Sequence, residues 1–315
     1  MKRLFTVRRL VALLLVLASL ATLTACSKYR VEMSSKAQTT PMLTLGDYTV
    51  TREVVDFFYY NRKSTHPNED YATRLIEVEA DIAELYAIFE ACRSMSIDPF
   101  GEEIDEMVDA QVKTMIDSFP TRRDYIDRIS LLHMTDTVCR LILRSSICES
   151  FLAEVLNPTE AELRAFCEQD DVIRVLTMQL SYDQSLRAWA EGRMQDILAE
   201  LESGAGTDAH FLTVARQMAT ADTEHTYITV GQWERLCGAD APDPKQGTLS
   251  PALYETDTVL LMRVTAKDVD YAVAHRNILI DSYLEYQIEN KMQELAALLV
   301  RNADYLALTE ESFQE

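Results

Sequence analysis

The sequence lacks the short motifs of the common enzyme classes. It contains no Gly-x-Ser-x-Gly, P-loop, Gly-x-Gly-x-x-Gly or His-Glu-x-x-His pattern. Its 6 cysteines and 5 histidines form no Cys-x-x-Cys pair and no Cys/His spacing typical of zinc. These absences argue against the corresponding hydrolase, nucleotide-binding and metalloprotease classes. We therefore expect no metal and no cofactor.

Basic residues are also scarce. The chain has 30 Lys and Arg against 51 Asp and Glu, for a net charge of −21. Residues 1–25 hold four of the basic residues and no acidic residue, so the chain after residue 25 carries −25. Such a field repels phosphate backbones, and no basic stripe offsets it, which excludes nucleic acid as an expected partner. It also repels anionic lipid, so charge does not hold the protein at a membrane.

The first 25 residues have the pattern of a secretory signal peptide. Four basic residues precede an apolar run from Leu10 to Leu23, which is shorter than the ~20 residues that span a bilayer. The run ends in Leu23-Thr24-Ala25-Cys26, which resembles a bacterial lipobox. The resemblance implies lipidation at Cys26 and a bacterial cell-membrane protein on the extracytoplasmic face. The alternative is an uncleaved anchor helix in which Cys26 is incidental.

Apolar residues at helical spacing dominate the chain after a polar tether at 26–42. A short strand pair is predicted at Leu43–Val50, and amphipathic helices follow up to residue 169. Cys92 and Cys148 fall on two of their apolar rows, so we predict that both are buried thiols. Thr159 and Glu162 form a capping box after Pro158. The pattern of residues 43–169 therefore predicts a helical domain.

Only residues 170–267 depart from the helical pattern. Two β-branched apolar runs, at 172–180 and 256–264, predict buried strands, and residues 184–201 between them predict a helix. Residues 268–315 return to a helical pattern, predicted as one long helix from Asp270 to about Arg301. Because a single helix cannot bury its apolar stripe alone, we expect it to pack on the N-terminal helices. The predicted fold class is α+β, with an α/β domain inserted into a helical domain.

The layout resembles the PrsA/SurA family of extracytoplasmic foldases, whose inserted domain is a parvulin-type prolyl isomerase. The resemblance covers the chain after the signal peptide, as an arrangement more than as motifs. Its most specific segments are Phe211–Ala215, which is similar to a helix of the parvulin domain, and Gly247–Ala252, which is similar to the segment before the last strand. The implied fold is a SurA-like helical domain, completed by the C-terminal helix, with a parvulin-like insert.

The sequence departs from the family at the histidines that parvulins carry in their first and last strands. Met178 stands at the first strand position, and Leu260 stands in the run that matches the last strand. Phe211 and Met218 remain as candidates for an apolar pocket, so these four residues form the predicted peptide site, with no catalytic residue assigned. Filling of the core by Phe211 is the alternative. We expect binding of a proline-containing segment to survive the loss of the histidines better than catalysis does.

The insert also contains histidines beside acidic residues and both tryptophans of the chain. His210 and His225 lie near Asp208 and Asp222 and could form acid–base pairs, but an acidic loop explains such histidines more simply. The two tryptophans, Trp189 and Trp233, are predicted to be packing residues.

The predicted function is a membrane-anchored chaperone or foldase that binds unfolded or proline-containing secreted polypeptides. Its prolyl isomerase activity would be lost. One alternative is an active prolyl isomerase with an atypical site. The other is an assembly lipoprotein with one dedicated partner.

Overall fold

The computed structural model describes residues 39–204, 206–219, 224–238, 241–254 and 257–313. The predicted signal peptide, Cys26 and most of the predicted tether lie outside these residues. The described chain is α+β, as predicted, with twelve helices and two small antiparallel sheets. It divides into two compact units, one formed by residues 39–155 with 287–313 and the other by Leu156–Tyr286.

The described chain contains short strands and helices of very different length. In chain order they are β1 (Pro41–Leu45), β2 (Tyr48–Thr51), α1 (Arg52–Thr65), α2 (Tyr71–Ser94), α3 (Glu102–Asp117), α4 (Arg122–Ser130), α5 (Asp136–Val155), α6 (Glu160–Glu168), β3 (Val172–Ser181), α7 (Arg187–Ser203), α8 (Asp208–Met218), β4 (Glu224–Thr229), α9 (Val230–Cys237), β5 (Leu253–Tyr254), β6 (Thr258–Thr265), α10 (Val269–Ala274), α11 (Ile280–Ala297), β7 (Leu299–Arg301) and α12 (Ala303–Leu306). Short 3₁₀ turns precede α7 and α11, and another, Glu310–Phe313, follows α12.

The sheet of the first unit joins residues from both ends of the chain. Its strand order is β2-β1-β7, and both pairs are antiparallel, with Leu43 of β1 opposite Arg301 of β7. The Arg301 guanidinium also donates two hydrogen bonds to the Glu79 carboxylate on α2, at 2.6 and 2.5 Å. The predicted strand pair is confirmed, and a third strand from the C-terminal region extends it.

The helices of the first unit bury the rows that the sequence predicts. On α2, Val78, Ile82 and Phe89 are buried, and Cys92 continues the same row with no exposed surface. The Cys92 thiol donates to the main-chain oxygen of Cys148 on α5, at 3.6 Å. Cys148 is itself fully buried, so the prediction of two buried thiols is confirmed.

The second unit is built on a four-stranded antiparallel sheet of order β4-β3-β6-β5. The two apolar runs that predicted strands form β3 and β6, which pair along almost their whole length. The capping box of Thr159 and Glu162 is present at the start of α6. Behind it, Phe166 packs with Tyr227 and Leu279 in a separate small core, which fixes α6 and α10 beside the sheet.

The prediction of one long C-terminal helix from Asp270 to about Arg301 is wrong. The chain forms α10, a 3₁₀ turn and then α11, which ends at Ala297. At the break, the Arg276 guanidinium donates to the side-chain oxygen of Asn157 and to the main-chain oxygen of Pro158, at 2.8 and 3.0 Å. After Ala297 the chain pairs with β1 instead of continuing as a helix, because strand pairing there satisfies the backbone groups of both segments.

Candidate functional site

One face of the second unit's sheet is a closed apolar core. Side chains alternate between the two faces of a strand, and Met178 of β3 lies opposite Leu261 of β6. Both have no exposed surface, and both pack in one cluster with Phe211 of α8. The other fully or nearly fully buried members are Leu176, Leu180, Tyr182, Ala190, Met194, Ile197, Leu201, Val214, Ala215 and Val259. Two helices therefore cover this face.

The structure brings three of the four predicted site residues together and places the fourth elsewhere. Phe211 and Met178 share the core, and the partly buried Met218 packs at its margin. Leu260 lies opposite Gln179 of β3 and Leu253 of β5, so strand alternation directs it to the other face of the sheet. Phe211 has no exposed surface, which favours the core-filling alternative for this residue. A role for these four residues in peptide binding stays a prediction.

A buried arginine that the sequence analysis did not select organises the polar end of the same face. Arg263 of β6 is 7% exposed, and its guanidinium donates to the Asp208 carboxylate and to the main-chain oxygen of Gly247, both at 2.9 Å. It also donates to the main-chain oxygen of Gly206. The Arg263 side chain thus binds the loops that contain Gly206 and Gly247 to the sheet. The sequence indicates this role of Arg263 only by placing a single arginine inside an apolar predicted strand.

The candidate acid–base pair of His210 with Asp208 does not form. The imidazole Nε2 of His210 is hydrogen-bonded to the main-chain oxygen of Glu200 at 3.0 Å, while the Asp208 carboxylate accepts from Arg263. His210 thereby satisfies one of the carbonyl groups left open at the end of α7. Asp222 lies outside the described residues. The contacts of His210 are those of a structural residue.

The second unit contains two thiols, the buried Cys167 and the half-buried Cys237. Burial raises the pKa of Cys167 and that of Cys237 to about 11 in each case, which keeps both thiols protonated at neutral pH.

Within the described parts of the chain, no three side chains of His, Cys, Asp or Glu group as metal ligands would. None of the described helices has the length and apolar character needed to cross a bilayer.

Large apolar side chains are exposed where α7 begins. Leu186 is 50% exposed, Trp189 is 51% exposed, and Tyr254 of the edge strand β5 is 37% exposed. The Arg187 guanidinium lies 5.6 Å from the centre of the Tyr254 ring and forms an ion pair with Glu191 at 3.2 Å. We call Leu186, Trp189 and Tyr254 the α7 patch.

The two tryptophans differ in their environments. Trp233 is fully buried, and its indole N–H donates to the main-chain oxygen of Pro242 at 2.8 Å, which confirms its predicted packing role. The same prediction is wrong for Trp189. The core-facing positions of α7 are Ala190, Met194 and Ile197, and Trp189 falls outside that stripe.

Comparison of the chain with protein-family models finds no match, and comparison with curated proteins finds none either. Among solved structures, foldase protein PrsA from Streptococcus pneumoniae is 12% identical over 87% of this chain and 97% of its own, with a TM-score of 0.27. The PrsA structures from Lactococcus lactis and Bacillus subtilis are also 12% identical, each with a TM-score of 0.24. They cover 88% and 86% of this chain, and 100% and 95% of their own. At these TM-scores, the similarity establishes neither fold nor function.

The His210 imidazole lies where a side chain on Gly204 would be, so alanine should destabilise the protein at Gly204 but not at Gly192. A methyl group on Gly204 would meet the His210 Nε2 at 2.0 Å, so Gly204→Ala must displace the imidazole from the Glu200 oxygen. We expect a loss of about 1–2 kcal/mol in the free energy of unfolding, measured by urea denaturation. Gly192 is the control, because it lies in the interior of α7, the helix that Gly204 caps, with open space around it.

Gly192→Ala should raise the free energy of unfolding by up to about 1 kcal/mol, because alanine has the higher helix propensity. The double change Gly204→Ala with His210→Ala should be no less stable than His210→Ala alone. If Gly204→Ala is as stable as the parent chain, the imidazole does not occupy this position.

Proposed function

We propose that the protein binds non-native polypeptides outside the cytoplasm, anchored to the membrane by lipid at Cys26, and that it does not catalyse prolyl isomerisation. The observation that carries the binding proposal is the α7 patch. Exposed apolar side chains grouped on a surface suit contact with a polypeptide, because apolar patches commonly mark interaction sites. Trp189 supplies a large rigid contact area, and Tyr254 combines an apolar ring with a hydroxyl.

The position of the patch suits an extended peptide. Tyr254 belongs to β5, which is the last strand in the order β4-β3-β6-β5. An edge strand can pair with an extended segment through main-chain hydrogen bonds, which do not depend on the sequence of the segment. Apolar side chains of that segment would then contact Leu186 and Trp189. Such recognition fits many different clients.

The core face of the sheet supports the absence of catalysis. A non-covalent isomerase must bind the twisted amide better than either planar form, against a barrier of about 18–20 kcal/mol. Met178 and Leu261 face each other there as fully buried apolar side chains. The polar side chain at the end of this face, Arg263, is already bonded to Asp208 and to two main-chain oxygens. Met178 and Leu261 have no proton to donate, and three N–H groups of Arg263 are engaged in bonds that hold the fold.

Substitution of the α7 patch tests the binding proposal. We expect the protein to suppress light scattering by an unrelated aggregating polypeptide. Leu186→Ser with Trp189→Ser should remove at least half of that suppression while leaving the melting temperature of the protein unchanged. Leu131→Ser in the first unit is the control, since Leu131 is equally exposed at 50%. A parent protein without suppression contradicts the function, and a double variant equal to the parent contradicts the assignment of the surface.

The lipid anchor is tested separately. The net charge of −25 after residue 25 gives the protein no electrostatic attraction to anionic lipid. Cys26→Ala should therefore move the protein from the membrane fraction to the soluble fraction, or leave it unprocessed. Processed protein that stays wholly with the membrane after this change would show that another segment holds it there.

A further inference from the structure

The last described residues form a strap on the first unit that is attached by one buried side chain. Residues 306–312 are exposed or half-buried, and Leu306 is 69% exposed. Phe313, which follows them in the 3₁₀ turn Glu310–Phe313, is only 2% exposed. Among residues 306–313, Phe313 is therefore the one whose side chain is buried.

The anchor occupies an aromatic pocket built by α1 and the start of α2. The ring of Phe313 stacks on Tyr59, with centroids 3.7 Å apart and planes at 14°. Tyr60 and Tyr71 present their rings at 6.3 and 6.4 Å, and the Arg52 guanidinium lies 4.8 Å from the Phe313 centroid. Stacked rings under a cation form a geometry that favours an aromatic side chain over an aliphatic one.

Side chains of α1 bind the main chain of the strap to the first unit. The Arg52 guanidinium donates to the main-chain oxygen of Ser312, and the Tyr60 hydroxyl donates to the main-chain oxygen of Phe313, both at 2.9 Å. Every residue in a polypeptide carries such an oxygen, so these two bonds do not require a serine or a particular flanking sequence. The pocket thus recognises one aromatic ring and two successive carbonyl groups.

We infer that this pocket is a second polypeptide-binding site, which takes a segment carrying a phenylalanine side chain, and that the chain's own C-terminal segment occupies it as an internal competitor. The inference rests on the proposed polypeptide-binding function but uses a different surface. An attached segment reaches an effective concentration on the order of millimolar, so a client must exceed that to displace it. Occupancy by the strap would make the site selective for segments that are abundant or locally concentrated.

The test uses the full chain carrying Phe313→Ala, which removes the anchor and leaves the pocket residues intact. The probe is a fluorescent peptide with the sequence of residues 306–315, and binding is followed by fluorescence anisotropy. The Phe313→Ala chain should bind the probe saturably, and the parent chain should bind it at least about tenfold more weakly because its own strap competes. Leu306→Ala is the matched control on the same strap and should behave like the parent.

Two further peptides define specificity. The probe with alanine in place of its phenylalanine should not bind the Phe313→Ala chain, and an unrelated peptide of equal length with one phenylalanine should compete with the probe. Equal probe binding by parent and variant, or competition by no unrelated peptide, would overturn the inference. A Phe313→Ala chain that loses cooperative melting would also overturn it, because Phe313 would then be an integral part of the core. None of these results bears on the α7 patch, whose aggregation assay fails or succeeds independently.

Discussion

The arrangement of the second unit depends on the hydrogen bonds made by one buried guanidinium, that of Arg263. Arg263 lies in β6 between apolar residues. Burying a charged side chain there costs free energy unless it is paired and fully hydrogen-bonded. Asp208 at the start of α8 and the loops carrying Gly206 and Gly247 supply that pairing, so the sheet, α8 and both loops take up one arrangement. The same arrangement places α8, and with it Phe211, over the sheet. The hydrogen bonds of Arg263 on this face of the sheet therefore stabilise the fold.

Local patterns predicted most of the elements. The rows on α2, the capping box at Thr159 and the runs of β3 and β6 depend on neighbouring residues, and each is present. Strand alternation could also have placed Leu260 on the face opposite Met178, had the register between the two strands been known. Register depends on pairing between residues about 80 positions apart, which periodicity within either strand does not reveal.

The elements that sequence reasoning missed are set by distant contacts. Where the C-terminal helix breaks, Arg276 bonds residues more than 100 positions earlier, and β7 pairs with the distant strand β1. Phe313 is the one apolar residue of the stretch 309–315, and its role depends on Tyr59 and Arg52. No local signal distinguishes Arg276 or Phe313 from its neighbours. Trp189 is a different case, because the buried stripe of α7 has helical spacing and this local pattern already leaves Trp189 outside it.

The central claim is that the second unit binds polypeptide without catalysing prolyl isomerisation. Exchange NMR on a peptide with one X-Pro bond tests it most directly, because the spectra report binding and isomer exchange in one sample. The account predicts chemical-shift changes for Trp189 and its neighbours on titration. It also predicts an isomerisation rate no faster than the uncatalysed one, which takes tens to hundreds of seconds. Exchange that accelerates in proportion to protein concentration would contradict the account and point to a catalytic group outside the Met178 and Arg263 face.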